Sequence, residues 1–523
     1  MQNHFLNTRY YLIGLLLSVN LVTKAQVTKR IITADLKAIA GNKSNVFNEC
    51  IGAGRANEGL RADWQQQLAM IQKDVHFKYI RFHGLLHDDM RVYAEDKKTG
   101  APIYNWQYID RLYDYLLSIK IKPFVEFGFM PSELAAGTKT IFWWKANTSK
   151  PKSYEKWDAL ITNLVKHWRE RYGDEELKTW YFEVWNEPDL KGFYDGTQAD
   201  YFELYAHTAK AVKSISPAYR VGGPATSATK WIGDFLSHCE TNQLPVDFVS
   251  THDYGTTSVL DEMGTKKQQL KSIRDTIARD VKSVRNLINQ SAFKKAELHF
   301  TEWNTSPSSR DPIHDTYQNA AYILHVLKKA ANNSNSMSYW TFTDVFEEAG
   351  PGQTPFHGGF GLINLQDIKK PSYYAYKFMS ELGKTELKNN DESSYICTSE
   401  NGVQALVWDW THPYQNSYNQ DHFSKVQPSE LKEVVTLKVA NVKNGRYTLE
   451  VYKVGYKQND PFTAYLEMGK PSQITKAEVN KFKSLSAGLP VSKTTVNITN
   501  GNFEHSLQLR DNDIVFVKLI KAK

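Results

Sequence analysis

The stretch TWYFEVWNEPDL, residues 179–190, runs from an aromatic and apolar segment into an amide, a carboxylate and a proline. Its first half has the composition of a strand buried on both faces, as in a parallel sheet covered by helices. Proline cannot donate to a sheet ladder, so Pro188 stops the strand and fixes the turn that follows. The strand reading takes in residues 180–187 and leaves Asn186 and Glu187 at its end.

Seven further apolar or β-branched runs resemble this one, at residues 48–54, 79–84, 122–128, 219–225, 247–254, 297–304 and 338–344. Between them lie segments with apolar residues at three- and four-residue spacing, at 105–120, 153–172, 199–215 and 268–290, which predict helices. Eight strands alternating with helices predict a (β/α)8 TIM barrel over residues 45–376. From residue 377 the texture changes to short alternating runs such as ALVWDW, EVVTLKVANV, RYTLEVYKVG and DIVFVKLIKA, separated by Gly, Asn, Pro and Lys turns. That pattern predicts an antiparallel β-sandwich over residues 377–523. The segment 26–44 is also strand-like and precedes the first barrel strand. A closed barrel has no place for it, so it is expected to join the sandwich.

The chain has 523 residues, enough for one large domain and a smaller one. Residues 1–25 read as a signal peptide: Arg9 precedes a short apolar stretch, LIGLLLSVNLV, and small residues precede Gln26. The apolar stretch is too short for a membrane span, and no later run is long enough for one. The mature protein is therefore expected to be exported, periplasmic or extracellular, and free of the membrane after cleavage. Removing residues 1–25 takes away Arg9 and Lys24 and no acid, which lowers the formal charge from +7 to +5. A charge so mild and dispersed gives no argument for nucleic acid. The three cysteines, Cys50, Cys239 and Cys397, allow at most one disulfide, so the fold is not built on them. Aromatic residues make up 13% of the chain, which suits both a large core and the binding of flat rings.

Chemistry in a (β/α)8 barrel sits where the strands end. Glu187 ends the fourth run and Glu302 the seventh, so both carboxylates are expected to face the same mouth. A glutamate at a strand end ordinarily meets solvent, but here there are two, each inside an aromatic run and each beside Trp and Asn. By period-two alternation Arg81 and His83 share a face of the second strand, and His252 and Tyr254 share a face of the sixth. The eighth offers Trp340, with Glu347 and Glu348 in the loop beyond. Arg81 has two readings, a donor to Glu302 or a partner of a structural carboxylate in the barrel. The segment HGLLHDD superficially resembles a metal site, but a His-x3-His pair suits a metal only on a helix and His83 ends a strand, so no metal or other cofactor is expected.

The motifs YIRFHGLLHDDM, FEVWNEPD, STHDY, HFTEWN and YWTFTDVFEE…FHGGFGL, in this order, resemble glycoside hydrolase family 39, in the clan of retaining (β/α)8 glycosidases. The resemblance implies that Glu187 is the general acid/base and Glu302 the nucleophile of a double displacement, which needs the carboxyls about 5–5.5 Å apart. It implies further that Asn186 holds the sugar 2-hydroxyl, and that His83, His252 and Tyr254 line the subsite of the cleaved sugar. Trp340 would stack on that sugar and Glu347 and Glu348 would bind its hydroxyls. The mechanism needs Glu302 ionised and Glu187 protonated.

The family contains β-xylosidases and α-L-iduronidases. A uronate needs a paired cation in the pocket, and the eighth-strand loop DVFEEAGPGQTPFHGGFGLI contains no Lys or Arg. The expected activity is therefore release of terminal β-D-xylose from xylo-oligosaccharides. The alternatives are another family 39-type glycosidase, namely α-L-iduronidase, β-glucosidase or arabinosidase, and a catalytically inert carbohydrate-binding protein. The sequence leaves open the oligomeric state, the chain-length preference and the role of the sandwich.

Overall fold

The computed structural model describes residues 29–413 and 417–522. The signal-peptide reading of residues 1–25 lies outside the described residues. No helix among the described residues is long and apolar enough to cross a membrane.

Eight parallel strands close into a barrel in sequence order: Cys50–Arg55, Tyr79–His83, Lys122–Phe127, Tyr181–Val184, Arg220–Thr226, Phe248–Tyr254, Glu297–Asn304 and Ser336–Tyr339. A helix follows each, and the helices turn one apolar face onto the barrel. In the helix Tyr154–Tyr172, for example, Trp157, Leu160, Ile161, Leu164, Val165 and Trp168 are buried at three- and four-residue spacing. Ser153 caps this helix by accepting from the Lys156 amide, and Gly173 ends it at φ 88°.

The helical segment read from residue 268 begins later. Residues Lys266–Leu270 instead pair antiparallel with Thr256–Leu260, and the helix runs Thr276–Gln290. The reason lies in the turn. Asp261 accepts from the Met263 and Thr265 amides, and Gly264 supplies φ +75°, so a hairpin closes where the apolar pattern alone suggested an early helix start.

The second unit is one nine-stranded sheet, mostly antiparallel, separate from the barrel. Its inward residues from both ends of the sheet, among them Val435, Leu437, Val403, Val451, Leu507 and Val517, share a single core, so the sheet folds over on itself as a sandwich does. The N-terminal strand Arg30–Asn42 lies inside this sheet, parallel to Leu431–Ala440 and antiparallel to Thr385–Asn389. Arg30 clamps it there with two bonds to the Asp391 carboxylate, at 2.7 and 2.6 Å. All three cysteines are buried and free.

Candidate active site

The barrel interior is layered. Cys50, Tyr79, Phe124, Tyr181 and Phe248 point inward and form one buried cluster, with the His299 ring packed 4.6 Å from that of Tyr181. Two residues further along the strands the lining becomes polar with Gly52, Arg81, Glu126, Glu183, Ser250 and Thr301, all buried. Gly52 has no substitute here, because a Cβ would come within 2.5 Å of the Trp340 ring.

Arg81 organises this layer. Its guanidinium donates to Glu183 Oε2 at 2.7 Å, to Glu302 Oε1 at 2.5 Å and to Asn186 Oδ1 at 2.9 Å, and it lies 2.8 Å from Glu126 Oε2. Both readings of Arg81 therefore hold at once, since it is a donor to Glu302 and a partner of buried carboxylates. Because Arg81 takes the Asn186 oxygen, the amide nitrogen of Asn186 is left as a donor on the cleft that Asn186 lines.

Strict alternation would turn Glu302 away from the interior, because His299 and Thr301 already face it. The pairing with the sixth strand shows how this is avoided. Thr251 pairs with Phe300 and His252 with Glu302, so Thr301 is an extra residue in the ladder. This bulge lets both Thr301 and Glu302 face inward. Glu187 reaches the site differently. The fourth strand ends at Val184, three residues before the expected end. Trp185 and Glu187 adopt φ +70° and +44°, a region that costs a side chain about 1–3 kcal/mol. The Glu187 amide donates to the Ala225 carbonyl at 2.8 Å, and the Trp185 indole donates to the Phe193 carbonyl at 3.0 Å, which hold this turn in place.

The two carboxylates meet across His252. Its Nδ1 lies 3.0 Å from Glu187 Oε1 and 3.6 Å from Glu302 Oε2. One donor atom from each of the three side chains falls within 4.8 Å of the others. Tyr254 donates to Glu302 Oε2 at 2.7 Å. On Glu302, burial opposes ionisation, but His252, Arg81, His83 and the Tyr254 hydroxyl outweigh it and hold the carboxyl below the ordinary glutamate range. Burial and the Glu302 charge push Glu187 the other way, above that range, against the pull of His252. On His252 burial is outweighed by Glu302 and Glu187, which raise it. The two carboxyls are thus shifted in opposite directions, Glu302 toward the anion and Glu187 toward the acid.

His83 is driven down to about 3 by burial and by the Arg81 charge, and is a neutral ring. Its Nδ1 lies 2.6 Å from Glu126, whose carboxyl burial raises well above its ordinary value. His83 Nε2 is left facing Glu302 and Glu348, at 3.4 and 3.5 Å. Trp340 packs 4.7 Å from the His83 ring. Glu348 lines the same cleft as His83, Asn186, Glu187, Tyr254, Glu302 and Trp340. Glu347 does not. It is turned away onto Arg55 and Arg61, each donating to one of its oxygens at 2.8 Å. His87, Asp88 and Asp89 do not converge with His83 either: His87 meets Asp89, Asp89 pairs with Arg55, and Asp88 accepts from the Ser132 amide.

Glu187, His252 and Glu302 are the one grouping among the described residues with donor atoms close enough to share a metal ion. Burial and the Glu302 charge raise Glu187 above the ordinary glutamate range, which disfavours the deprotonated form that a metal ligand needs. Sequence reasoning missed Glu126, Glu183 and Thr301, which sit inside the apolar runs one layer below the mouth. It also missed the cations around the cleft. No Lys or Arg comes from the eighth-strand loop, yet Lys266, Lys267, Lys271 and Arg310 reach the cleft from neighbouring loops. The cleft encloses about 870 Å³.

Two curated relatives carry the name beta-xylosidase. That of Geobacillus stearothermophilus is 44% identical over 368 residues, covering 69% of this chain and 73% of its own length. That of Caldicellulosiruptor saccharolyticus is 36% identical over 472 residues, covering 88% and 92%. Among solved structures, a monomeric beta-xylosidase from Caulobacter crescentus CB15 superposes with a TM-score of 0.92 at 40% identity, covering 94% of this chain and all of that one. Residues 32–503 match the family model for glycosyl hydrolases family 39, a span that takes in the barrel, the carboxylate pair at its mouth and most of the sheet unit, short of its last two strands. On that match the chain belongs to glycosyl hydrolases family 39.

Proposed function

We propose that the protein is a retaining β-xylosidase that releases terminal β-D-xylose from xylo-oligosaccharides. The observation that carries the reaction type is the buried pair Glu187 and Glu302, with one oxygen of each within 4.8 Å and opposite protonation poise. An approach of oxygens this close supports the retaining separation of about 5–5.5 Å between carboxyls over the inverting one of about 6.5–9.5 Å, which must admit a water. The 36–44% identity to relatives named beta-xylosidase supports xylose as the glycone.

In this reading Glu302 attacks the anomeric carbon while Glu187 gives its proton to the leaving oxygen, forming a covalent xylosyl-enzyme. Glu187 then takes a proton from water, which attacks the same carbon and frees Glu302. Arg81 and Tyr254 keep Glu302 ionised for the first step. As Glu302 becomes a neutral ester and Glu187 is left as the carboxylate, His252, 3.0 Å from Glu187, hydrogen-bonds the charge formed there. The Asn186 amide, pinned by Arg81, donates to the 2-hydroxyl, and Trp340 offers its face to the ring.

A panel of 4-nitrophenyl glycosides tests the glycone. β-D-Xyloside is expected to be the best substrate, α-L-arabinopyranoside weaker, and β-D-glucoside slower by about 10- to 200-fold, the range open to a pocket that rejects one extra carbon. The α-L-iduronide is expected to be inert, because its carboxylate would meet Glu302 and Glu348. Faster hydrolysis of the iduronide than of the xyloside would assign the cleft cations to the glycone pocket and overturn the reading.

Export is part of the same proposal. The protein isolated from its secreting host is expected to begin at or near Gln26, which intact-mass analysis reads directly; residues 1–25 retained in a membrane fraction would make them an anchor.

A further inference from the structure

The two ends of the cleft differ in charge. The closed end holds Glu187, Glu302 and Glu348. The open side is walled by the hairpin that follows the sixth strand, whose second arm begins Lys266-Lys267-Gln268. This wall is fixed in place: Leu270 at its base shares a buried cluster with Ile313 of the barrel and Phe423 of the sheet unit. Gln268 is held in turn, accepting from Thr256 Oγ1 at 2.7 Å and donating to Ser258 Oγ at 3.0 Å.

The four cations on the cleft are not equivalent. Lys271 is committed to Asp253 at 3.0 Å, and Arg310 donates to the carbonyls of Ser309 and Gly350 at 2.8 and 2.7 Å. Lys266 has no carboxylate partner among the described residues, and Lys267 has Asp261 only at 3.9 Å. Lys266, without a carboxylate partner, and Lys267, only loosely paired, thus both line a cleft whose other end is built from carboxyl groups. An exo-acting enzyme places the cleaved sugar at the closed end, so whatever meets the hairpin belongs to the leaving group.

Resting on the β-xylosidase reading, we propose that the hairpin forms a leaving-group subsite for an acidic sugar. Its substrate class is a xylo-oligosaccharide whose second xylose carries a uronate branch, with the branch carboxylate drawn to the Lys266–Lys267 arm of the hairpin and the neutral terminal xylose on Glu302. The lysines attract the carboxylate as point charges in a partly exposed site, so the effect is screened by salt.

The test compares xylobiose with xylobiose bearing an α-glucuronosyl branch on its reducing-end xylose, using the wild type and the K266Q/K267Q double variant. The wild type is expected to cleave the branched substrate with a kcat/KM at least equal to that for xylobiose. In the double variant the acidic-to-neutral ratio is expected to fall about tenfold, as two weak surface ion pairs allow. Added salt of about 0.5 M should lower the wild-type ratio and leave that of the variant unchanged. Methyl esterification of the branch should lower the wild-type ratio as the double substitution does. An unchanged ratio in the variant, or wild-type discrimination against the branch of tenfold or more, would overturn the subsite while leaving xylobiose hydrolysis intact. Absence of turnover on xylobiose and on the aryl xyloside alike would instead sink the β-xylosidase reading, and this proposal with it.

Discussion

Glu302→Ala is expected to lower kcat on aryl β-D-xylosides by about 10⁵-fold or more, the scale on which loss of a covalent nucleophile is felt, and azide is expected to restore turnover as α-D-xylosyl azide. The substitution removes a carboxylate that is only 4% exposed and leaves a small cavity beside the Arg81 guanidinium and the Tyr254 hydroxyl. A small anion fits that cavity electrostatically, since the donors that held Glu302 ionised remain. Azide entering there attacks the anomeric carbon from the face opposite the leaving group, while Glu187 still protonates it, so the product is inverted. Arg81 keeps Glu183 and Glu126 as partners, so the variant should fold, and its circular dichroism melt provides the control. A β-configured azide product, or activity near that of the wild type, would remove Glu302 from the nucleophile's role.

The site's legibility in the sequence depended on where each residue stands in its strand. Strand ends were readable: WNEP and TEWN break apolar runs with polar groups, and a barrel has only one mouth at which such breaks converge. Residues one layer deeper were not. Glu126 in KPFVEFG and Glu183 in WYFEVWNE look like interruptions of a hydrophobic pattern, and only the closed barrel shows that Arg81 faces both. Glu302 was placed in the mouth although period-two alternation from Thr301 would have turned it outward; the bulge that corrects this leaves no signature in composition. Glu347 and Glu348 illustrate the converse. Adjacent glutamates in a loop look equivalent, but Arg55 and Arg61, almost 300 residues earlier, claim one and leave the other on the cleft. The charge argument from the eighth-strand loop had the same weakness, because it counted cations along one segment, whereas a cleft collects them from several.

The barrel itself was readable because its signal is repeated eight times, so an error of two or three residues at any one strand leaves the count intact. The hairpin at Thr256–Leu270 had no such redundancy. It is a single insertion whose second arm, rich in Lys and Gln, has no alternation to mark it as a strand and runs directly into a true helix. Its formation depends on Asp261 and Gly264 at the turn. A segment of this kind is where a family fold acquires individual specificity, since it can change without disturbing the barrel.

Glu187→Ala is expected to separate substrates by their leaving groups. General acid catalysis contributes about 10²–10⁴-fold where the departing oxygen needs a proton, so kcat/KM on xylobiose should fall by about that factor. On 2,4-dinitrophenyl β-D-xyloside, whose phenolate leaves unprotonated, kcat/KM should stay within about tenfold of the wild type. Its kcat should nevertheless drop, because no base remains to activate water against the xylosyl-enzyme. Azide, which needs no base, should then yield β-D-xylosyl azide, the configuration opposite to that from Glu302→Ala. The pH profile gives a second readout. In the wild type, kcat/KM requires Glu302 ionised and Glu187 protonated. The acid limb should therefore lie below the ordinary glutamate range, where Arg81, Tyr254 and the two histidines hold Glu302, and the alkaline limb above that range, where burial holds Glu187. In Glu187→Ala the alkaline limb on the dinitrophenyl xyloside should flatten, since the group whose proton was being lost is gone. His252, raised by the same two carboxylates and 3.0 Å from Glu187, and the cleft carboxyls Glu348 and Asp253, both raised by burial, are other groups at the site shifted upward. A limb that persists unchanged in Glu187→Ala would belong to another such group, and with an equal loss on both substrates it would show that Glu187 shapes the pocket without giving the proton.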